Sequence, residues 1–325
     1  MNEPSQQSYG KYSTKVKFSY PKGQSSFQFG RLGIEDSYLT GTLHLHFNKL
    51  FVNRIILKFT GTEHVYWTET RTRSISDGCH TETYSATNIL CCLSTCLLEN
   101  SDKSYQEISN MDLPFKIKLP ENIASTLRLG IGNVNYKLTA EISRKRNFWK
   151  FQGSRKNIKC DCNILKYCLL PPPVPVHWVE YDTEKAITSN GIGYNIHMDD
   201  INFGPSNPII VYVKLKLYNP KLKIKEIFVG LKKYSSFSAQ GSSKHENEYV
   251  LKKQVIGDKI TWDNYNECQY TFVLDIPEDM EKFGQTIKLE HILIAHKVEI
   301  KIKKEGMDID LEHDVRIDNF LSATS

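Results

Sequence analysis

Apolar and polar residues alternate one by one along much of the chain. This is the period of strands that show a core one face only. Phe115, Ile117 and Leu119 fall on one side of an extended segment and Lys116 and Lys118 on the other, with Pro114 and Pro120 predicted to bracket it. Tyr136, Leu138, Ala140 and Ile142 alternate with Lys137, Thr139 and Glu141. Leu43, Leu45 and Phe47 share one face of an earlier strand, and Thr42, His44 and His46 the other. Further strands are predicted at Lys15–Phe18, Phe27–Gly30, Arg54–Gly61, Val65–Glu69 and Asn157–Leu169, with a polar loop or strand edge at 70–88.

One stretch breaks the period. In Ile89–Leu98, residues Ile89, Leu93, Cys96 and Leu97 align at helical spacing, with Leu90 and Cys92 widening the face. Its length and spacing predict a short buried helix; a strand and a membrane-contacting segment are the alternatives. Leu170–Val176 holds four prolines and reads as a stiff linker. Beyond it the β pattern resumes at 193–198, 209–219, 223–232, 249–256, 269–276 and 289–303. In the last strand, 308–317, Ile309, Leu311, Val315 and Ile317 point inward and Asp308, Asp310, Glu312 and Asp314 outward. If the last two strands pair, Lys297, Lys301 and Lys303 meet that acidic row.

The 325 residues suit two sandwiches of about 150 residues each. The expected class is all-β, with a tail at 1–14, a first domain at 15–169, a linker at 170–176, a second domain at 177–317 and a short tail at 318–325. Residues 1–14 lack the apolar core of a leader, and the longest apolar run is shorter than the about 20 residues that span a bilayer. A cytoplasmic protein with eight reduced cysteines is expected. The charge is uneven: residues 1–170 hold 23 Lys and Arg against 14 Asp and Glu, and the remainder 19 against 23. A basic first half points to an anionic partner, or to ordinary solubilising charge.

Catalytic motifs are not evident, and no cofactor is expected. His44 and His46 have the spacing of two zinc ligands but no evident third, and read first as outward polar residues. Cys91, Cys92 and Cys96 with Cys160, Cys162 and Cys168 lack paired zinc-knuckle spacing. Buried inert thiols are the plainer reading, with acylation of the first three as an alternative. The basic loop Arg144–Lys156 is the strongest binding candidate. Phe148 and Trp149 can enter a lipid interface while Arg144, Lys145, Arg146, Lys150, Arg155 and Lys156 meet phosphates, each worth about 1 kcal/mol at an anionic membrane. The alternative is a solvated hairpin tip with the aromatics packed beneath. Nucleic acid is not expected, because the basic stretch is local and lacks a nucleic-acid module.

The Pro-Phe strand, the second proline and the Tyr-x-Leu-x-Ala strand resemble the amino-terminal domain of the arrestin family. So does the succession Gly41-Thr42-Leu43 to Ile55–Gly61 with Trp67 beyond. Gly191–Tyr194, the Val211–Leu217 strand before Asn219 and Ile292–Ile302 resemble its carboxy-terminal domain, with His296 where the family usually has Tyr. The resemblance spans about residues 15–317. It implies two immunoglobulin-like antiparallel sandwiches in tandem, with a short helix at Ile89–Leu98. It also implies a non-catalytic adaptor that binds cytosolic tails of membrane proteins and links them to endocytic or ubiquitin-dependent trafficking, at the plasma membrane or endosome. Lys15 and Lys17 lie on the first strand, where receptor-binding arrestins keep phosphate-contacting lysines. Ubiquitin-ligase recruitment by the family's Pro-Pro-x-Tyr motif is not supported, since the motif is absent here. A coat subunit resembling the arrestin-fold subunit of retromer is the second reading, and a carbohydrate-binding or hydrolytic sandwich the third.

Overall fold

A computed structural model describes residues 15–72, 79–100, 104–145, 154–181, 183–184, 186–205 and 207–321. The chain divides into two compact units after Tyr167. The first holds β1 (Val16–Ser19), β2 (Gln28–Phe29), β3 (Tyr38–Thr72), β4 (Cys79–Glu99), β5 (Gln106–Lys118), β6 (Leu127–Arg128), β7 (Gly132–Arg144) and β8 (Arg155–Cys162).

Strand β3 organises this domain. Its register breaks between His46 and Leu50 and between Val52 and Arg54, and at that bend it passes from one group of strands to another. Before the bend it lies between β1 and β5; after it, between β4 and β7, with β8 outside β7. Val52 pairs with both Gln106 and Arg144, so β5 and β7 reach the bend on opposite sides. Strands β1 and β7 therefore follow one another along one side of β3, and β5 and β4 along the other. The alternation decides what is inside: Leu39, Leu43 and Leu45, then Ile55, Leu57, Phe59 and Val65, are all fully buried, as are Leu138, Ala140 and Ile142 of β7. Each large side chain among them contributes about 1.5–3 kcal/mol through burial. Tyr136 stacks on Phe59 with centroids 5.5 Å apart and donates its hydroxyl proton to the Ala124 carbonyl at 2.7 Å.

The second unit holds β9 (Cys168–Leu169), β10 (Val176–Glu180), β11 (Ile192–Met198), β12 (Asn202–Phe203), β13 (Ile209–Leu217), β14 (Ile224–Ala239), β15 (Ser242–Ile256), β16 (Glu267–Leu274), a helical turn α1 (Met280–Phe283), β17 (Ile287–Lys288), β18 (Ile292–Lys304), β19 (Ile309–Ile317) and β20 (Phe320–Leu321). One sheet runs β10-β11-β13-β16 and the other β12-β19-β18-β14-β15. Val211, Val213 and Leu215 of the first share a core with Val229, Leu231, Val298 and Ile300 of the second. Both domains are thus antiparallel sandwiches built on the alternation the sequence displays.

Four expectations are corrected. Ile89–Leu98 is strand, not helix: it lies inside β4. Two bulges explain the misleading pattern. Opposite Gly61 and Thr62 stand Cys91 and Ile89, and opposite Ile55 and Ile56 stand Leu98 and Cys96, so Leu90 and Leu97 are each one residue too many. Two phase slips seven residues apart convert a period of two into one that imitates a helix. Secondly, Pro114 lies within β5 rather than before it, opposite Thr42; among the described residues β5 pairs only with β3, and an edge strand tolerates a missing N–H. Thirdly, Cys168 and Leu169 do not continue the first domain's last strand, which ends at Cys162; they pair with Phe320 and Leu321, so that part of the expected tail is held in a small parallel ladder. Finally, β18 and β19 do pair, and Lys297 meets Glu312 at 2.6 Å, but Lys301 and Lys303 turn to Glu299 and Glu226 instead.

Candidate functional site

Three cations converge where β1, β7 and β8 meet the bend of β3. Lys15 precedes β1 and is fixed through its carbonyl, which accepts the His46 N–H at 2.7 Å. Arg144 ends β7, with its N–H on the Ser154 carbonyl at 2.9 Å. Lys156 stands opposite Ile142, an inward residue, so its stem runs along the edge of the core and its ammonium lies 5.6 Å from the centre of the buried Phe47 ring. Partial burial, then the charges of Arg144 and Lys15, hold the Lys156 ammonium below the usual lysine value. Both charges are therefore felt at Lys156. Like charges gathered beside an apolar rim favour an incoming anion, and most of all one that accepts several charged hydrogen bonds at once.

Of the other residues expected here, Lys145 is exposed, with its N–H on the Phe51 carbonyl at 2.9 Å, and Arg155 is exposed opposite Ser143. Arg146, Phe148, Trp149 and Lys150 lie outside the described residues, as does the expected tail at 1–14. Lys17 lies on the same exposed side of the chain as Lys15. Two residues after Lys15, it stands exposed opposite His44 within the ladder.

His44 has a different role from the one its spacing suggests. Its Nε2 is 2.7 Å from Ser19 Oγ and its Nδ1 2.7 Å from Asp112 Oδ1, which ties β1, β3 and β5 together across their outward face. The order Ser–His–Asp is that of an acyl-transfer relay. Here, however, it sits on an open sheet face with the Asp112 side chain 65% exposed, and we read it as a cross-strand tie.

With this geometry in place, two family matches become meaningful. Residues 34–160 match the arrestin (or S-antigen) N-terminal domain, and residues 188–318 match the arrestin (or S-antigen) C-terminal domain. The chain belongs to the arrestin family. No curated protein matches it. The cationic cluster draws on Arg144 and Lys156, inside the matched N-terminal arrestin domain, and on Lys15, which precedes it.

The cysteines of this arrestin are dispersed. Cys160 and Cys162 are buried on β8, and burial raises both thiols, Cys160 to about 11. Cys92 and Cys96 are exposed on β4, across β3 and β7 from them. Cys168 lies in the small ladder, with the Arg316 guanidinium donating to its sulfur at 3.2 Å. Among the described residues they do not gather into a metal-binding group.

Sequence reasoning missed two polar clusters of the arrestin C-terminal domain. On the outward face of β14, β15 and β18, Glu299 accepts from Tyr249, from Lys232 at 3.1 Å and from Tyr234 at 3.4 Å, and pairs with Lys301 at 3.3 Å. Burial alone would raise this carboxyl; the hydrogen bonds from Tyr249, Lys232 and Lys301 prevail and bring it to about 2. On the inward face, His296 is buried against Phe283, with Nδ1 3.0 Å from Thr286 Oγ1. Burial, then the Lys233 ammonium, pushes it down to about 3. Alternation shows which side of a strand these residues take, but not which partners on three strands coincide.

Proposed function

We propose that this arrestin-family chain is a non-catalytic adaptor. It binds cytosolic segments of membrane proteins and links them to endocytic or ubiquitin-dependent trafficking, with the Lys15, Arg144 and Lys156 cluster as its anionic contact. The observation that carries the reading is that Lys15, Arg144 and Lys156, from separate elements at the bend of β3, bring like charge to bear on Lys156, whose ammonium lies beside the Phe47 ring. Family membership supports the adaptor role. The anionic group is supplied by the cargo segment or by the lipid headgroups around it, and the basic residues of 144–156 serve both. Any contact with a ubiquitin ligase is indirect or uses a surface other than a Pro-Pro-x-Tyr motif. The protein works in the cytoplasm, at the face of the plasma membrane or endosome.

The test is crosslinked affinity purification of the wild type and the Arg144→Glu, Lys156→Glu double variant. Alongside it, both proteins are co-sedimented with phosphatidylserine vesicles and with neutral phosphatidylcholine vesicles. Capture of membrane transporters or receptors, reduced about tenfold or more in the variant, is expected, since each lost charge contact is worth about 1 kcal/mol. Loss of vesicle binding together with capture assigns the contact to lipid, and loss of capture alone assigns it to cargo. A stoichiometric set of coat subunits, indifferent to the substitutions, would overturn the reading.

A further inference from the structure

Edge strands expose a row of unpaired N–H and C=O groups, and folded proteins protect long ones with charge, proline or brevity. Among the described residues, the longer edge strands β15, β5 and β8 follow the rule and β4 does not. Strand β15, with 15 residues, carries Lys244, Glu246, Glu248, Lys252 and Lys253; β5 carries Asp112, Pro114 and Lys116; β8 carries Arg155, Lys159 and Asp161. Strand β4 is 21 residues long and, among the described residues, pairs only with β3. From Thr83 to Leu98 it contains no charged residue and no proline. Ile89 is 64% exposed there, and Cys92 and Cys96 are exposed on the same outward face.

The two bulges leave a regular run between them, Cys91–Cys96, paired without interruption to Gly61–Ile56. That run extends the layer β8-β7-β3, and among the described residues its outer edge is unpaired, so another strand can be laid on it.

We propose that the β4 edge pairs with the β4 edge of a second copy of this chain, in antiparallel register through Cys91–Cys96, joining the two layers into one continuous sheet. Charge selects this occupant. A second copy brings an edge of the same length and the same lack of charge, so no like charges meet when the two runs are laid together. Self-pairing of β4 through this run opposes only hydroxyl, thiol and aliphatic side chains. A two-fold contact of this kind is also closed: each copy covers the β4 edge of the other, so pairing stops at two. The proposal rests on the edge alone and is independent of the cationic cluster, so the charge-reversed variant of that cluster still dimerises.

The experiment is sedimentation velocity of the full chain from about 1 to about 100 μM, spanning the affinities of reversible dimers. It is run on the wild type, Ser94→Glu and Ile89→Lys. Ser94 stands opposite Lys58, so a glutamate there suits the fold while placing carboxylates of the two copies near each other. Circular dichroism and the melting temperature establish that each variant is folded, and Ile89→Lys, at a more exposed position, decides the matter if Ser94→Glu is not. The expected result is a concentration-dependent wild-type dimer that shifts to monomer by at least tenfold in concentration in the folded variants. A wild type that stays monomeric over the whole range, or a dimer indifferent to both substitutions, would overturn the proposal.

Discussion

The hairpin β3–β4 of the first domain and the hairpin β14–β15 of the second have similar geometry and opposite fastening. In β3–β4 the attachment is on the buried side: Phe59 and Tyr136 stack face to face, Gly61 makes room for the Tyr136 ring, and Trp67 stacks on Tyr84 at 5.2 Å. The outward side of β4 offers hydroxyls and thiols. In β14–β15 the outward side is itself tied down, by Glu299 beneath Tyr249 and by the Lys232 ammonium 5.0 Å from the Tyr234 ring. A hairpin held from within can leave its outer edge plain, whereas one held from outside spends its charges there and protects its edge at the same time.

The largest effect that would test this contrast comes from two glycines. A Cβ at Gly61 would overlap the Tyr136 ring and stand 3.0 Å from Cys91 Sγ. Tyr136 cannot step aside, because its hydroxyl is bound to Ala124 and its ring lies on Phe59. A Cβ at Gly230 would meet the Phe228 ring at 2.8 Å and the Tyr249 ring at 2.9 Å, both on the outward face, where side chains can shift towards solvent. Gly61→Ala is expected to cost about 3 kcal/mol and Gly230→Ala about 1 kcal/mol in urea denaturation. Equal losses would mean that the outward aromatics of the second hairpin are as rigid as a core.

The next effect sharpens the contrast through pH. His296 lies on the inward face of the sheet that carries β14–β15, beside Lys233 and Thr286; Lys233 in turn pairs with Glu248 at 2.7 Å and donates to the Phe283 carbonyl at 3.3 Å. Its value in the fold is pushed down to about 3 from an ordinary 6.5. Protonation therefore favours the unfolded chain. The stability held at neutral pH is lost as pH falls below about 6.5, by about 1.4 kcal/mol per unit until the folded value is reached. Urea midpoints of the second domain are expected to drop between pH 7 and pH 5 by the equivalent of about 2 kcal/mol. His296→Phe, which keeps the stack on Phe283 and removes the titration, should flatten that slope. An unchanged slope would place the acid sensitivity elsewhere.

The strands on which this contrast rests were legible in the sequence, because a buried face imposes a period of two. Leu43, Leu45, Tyr136, Leu138 and Ile142 all fell on the side they occupy. The bulges of β4 were not legible, since a single added residue leaves composition unchanged and only inverts the phase. The cationic cluster was half legible. The charge of 144–156 is plain in the string, but the approach of Lys15 depends on β1 and β7 sharing a side of β3, a fact of pairing rather than of pattern. Long-range polar convergence, as at Glu299, needs three strands in register at once, and no local window contains it.

The smallest of these effects tests the outward fastening itself. Glu299 is 9% exposed and accepts from groups on β14 and β15 while pairing with Lys301 of its own strand. Glu299→Gln keeps the shape and one acceptor oxygen but removes the charge that Lys232 and Lys301 face. Both ammonium groups still reach solvent, so they do not bear the full cost of buried, unpaired ions. A loss of about 1.5 kcal/mol at pH 7 is expected in urea denaturation, below the 3–5 kcal/mol typical when a fully buried pair is broken. The carboxylate's contribution is present above its ordinary value of 4.5 and fades as pH falls towards its folded value of about 2. The gap between wild type and variant should therefore narrow over that interval. If Glu299→Gln instead costs nothing at pH 7, the outward cluster does not fasten β14–β15, and charge on that face serves only to guard the edge.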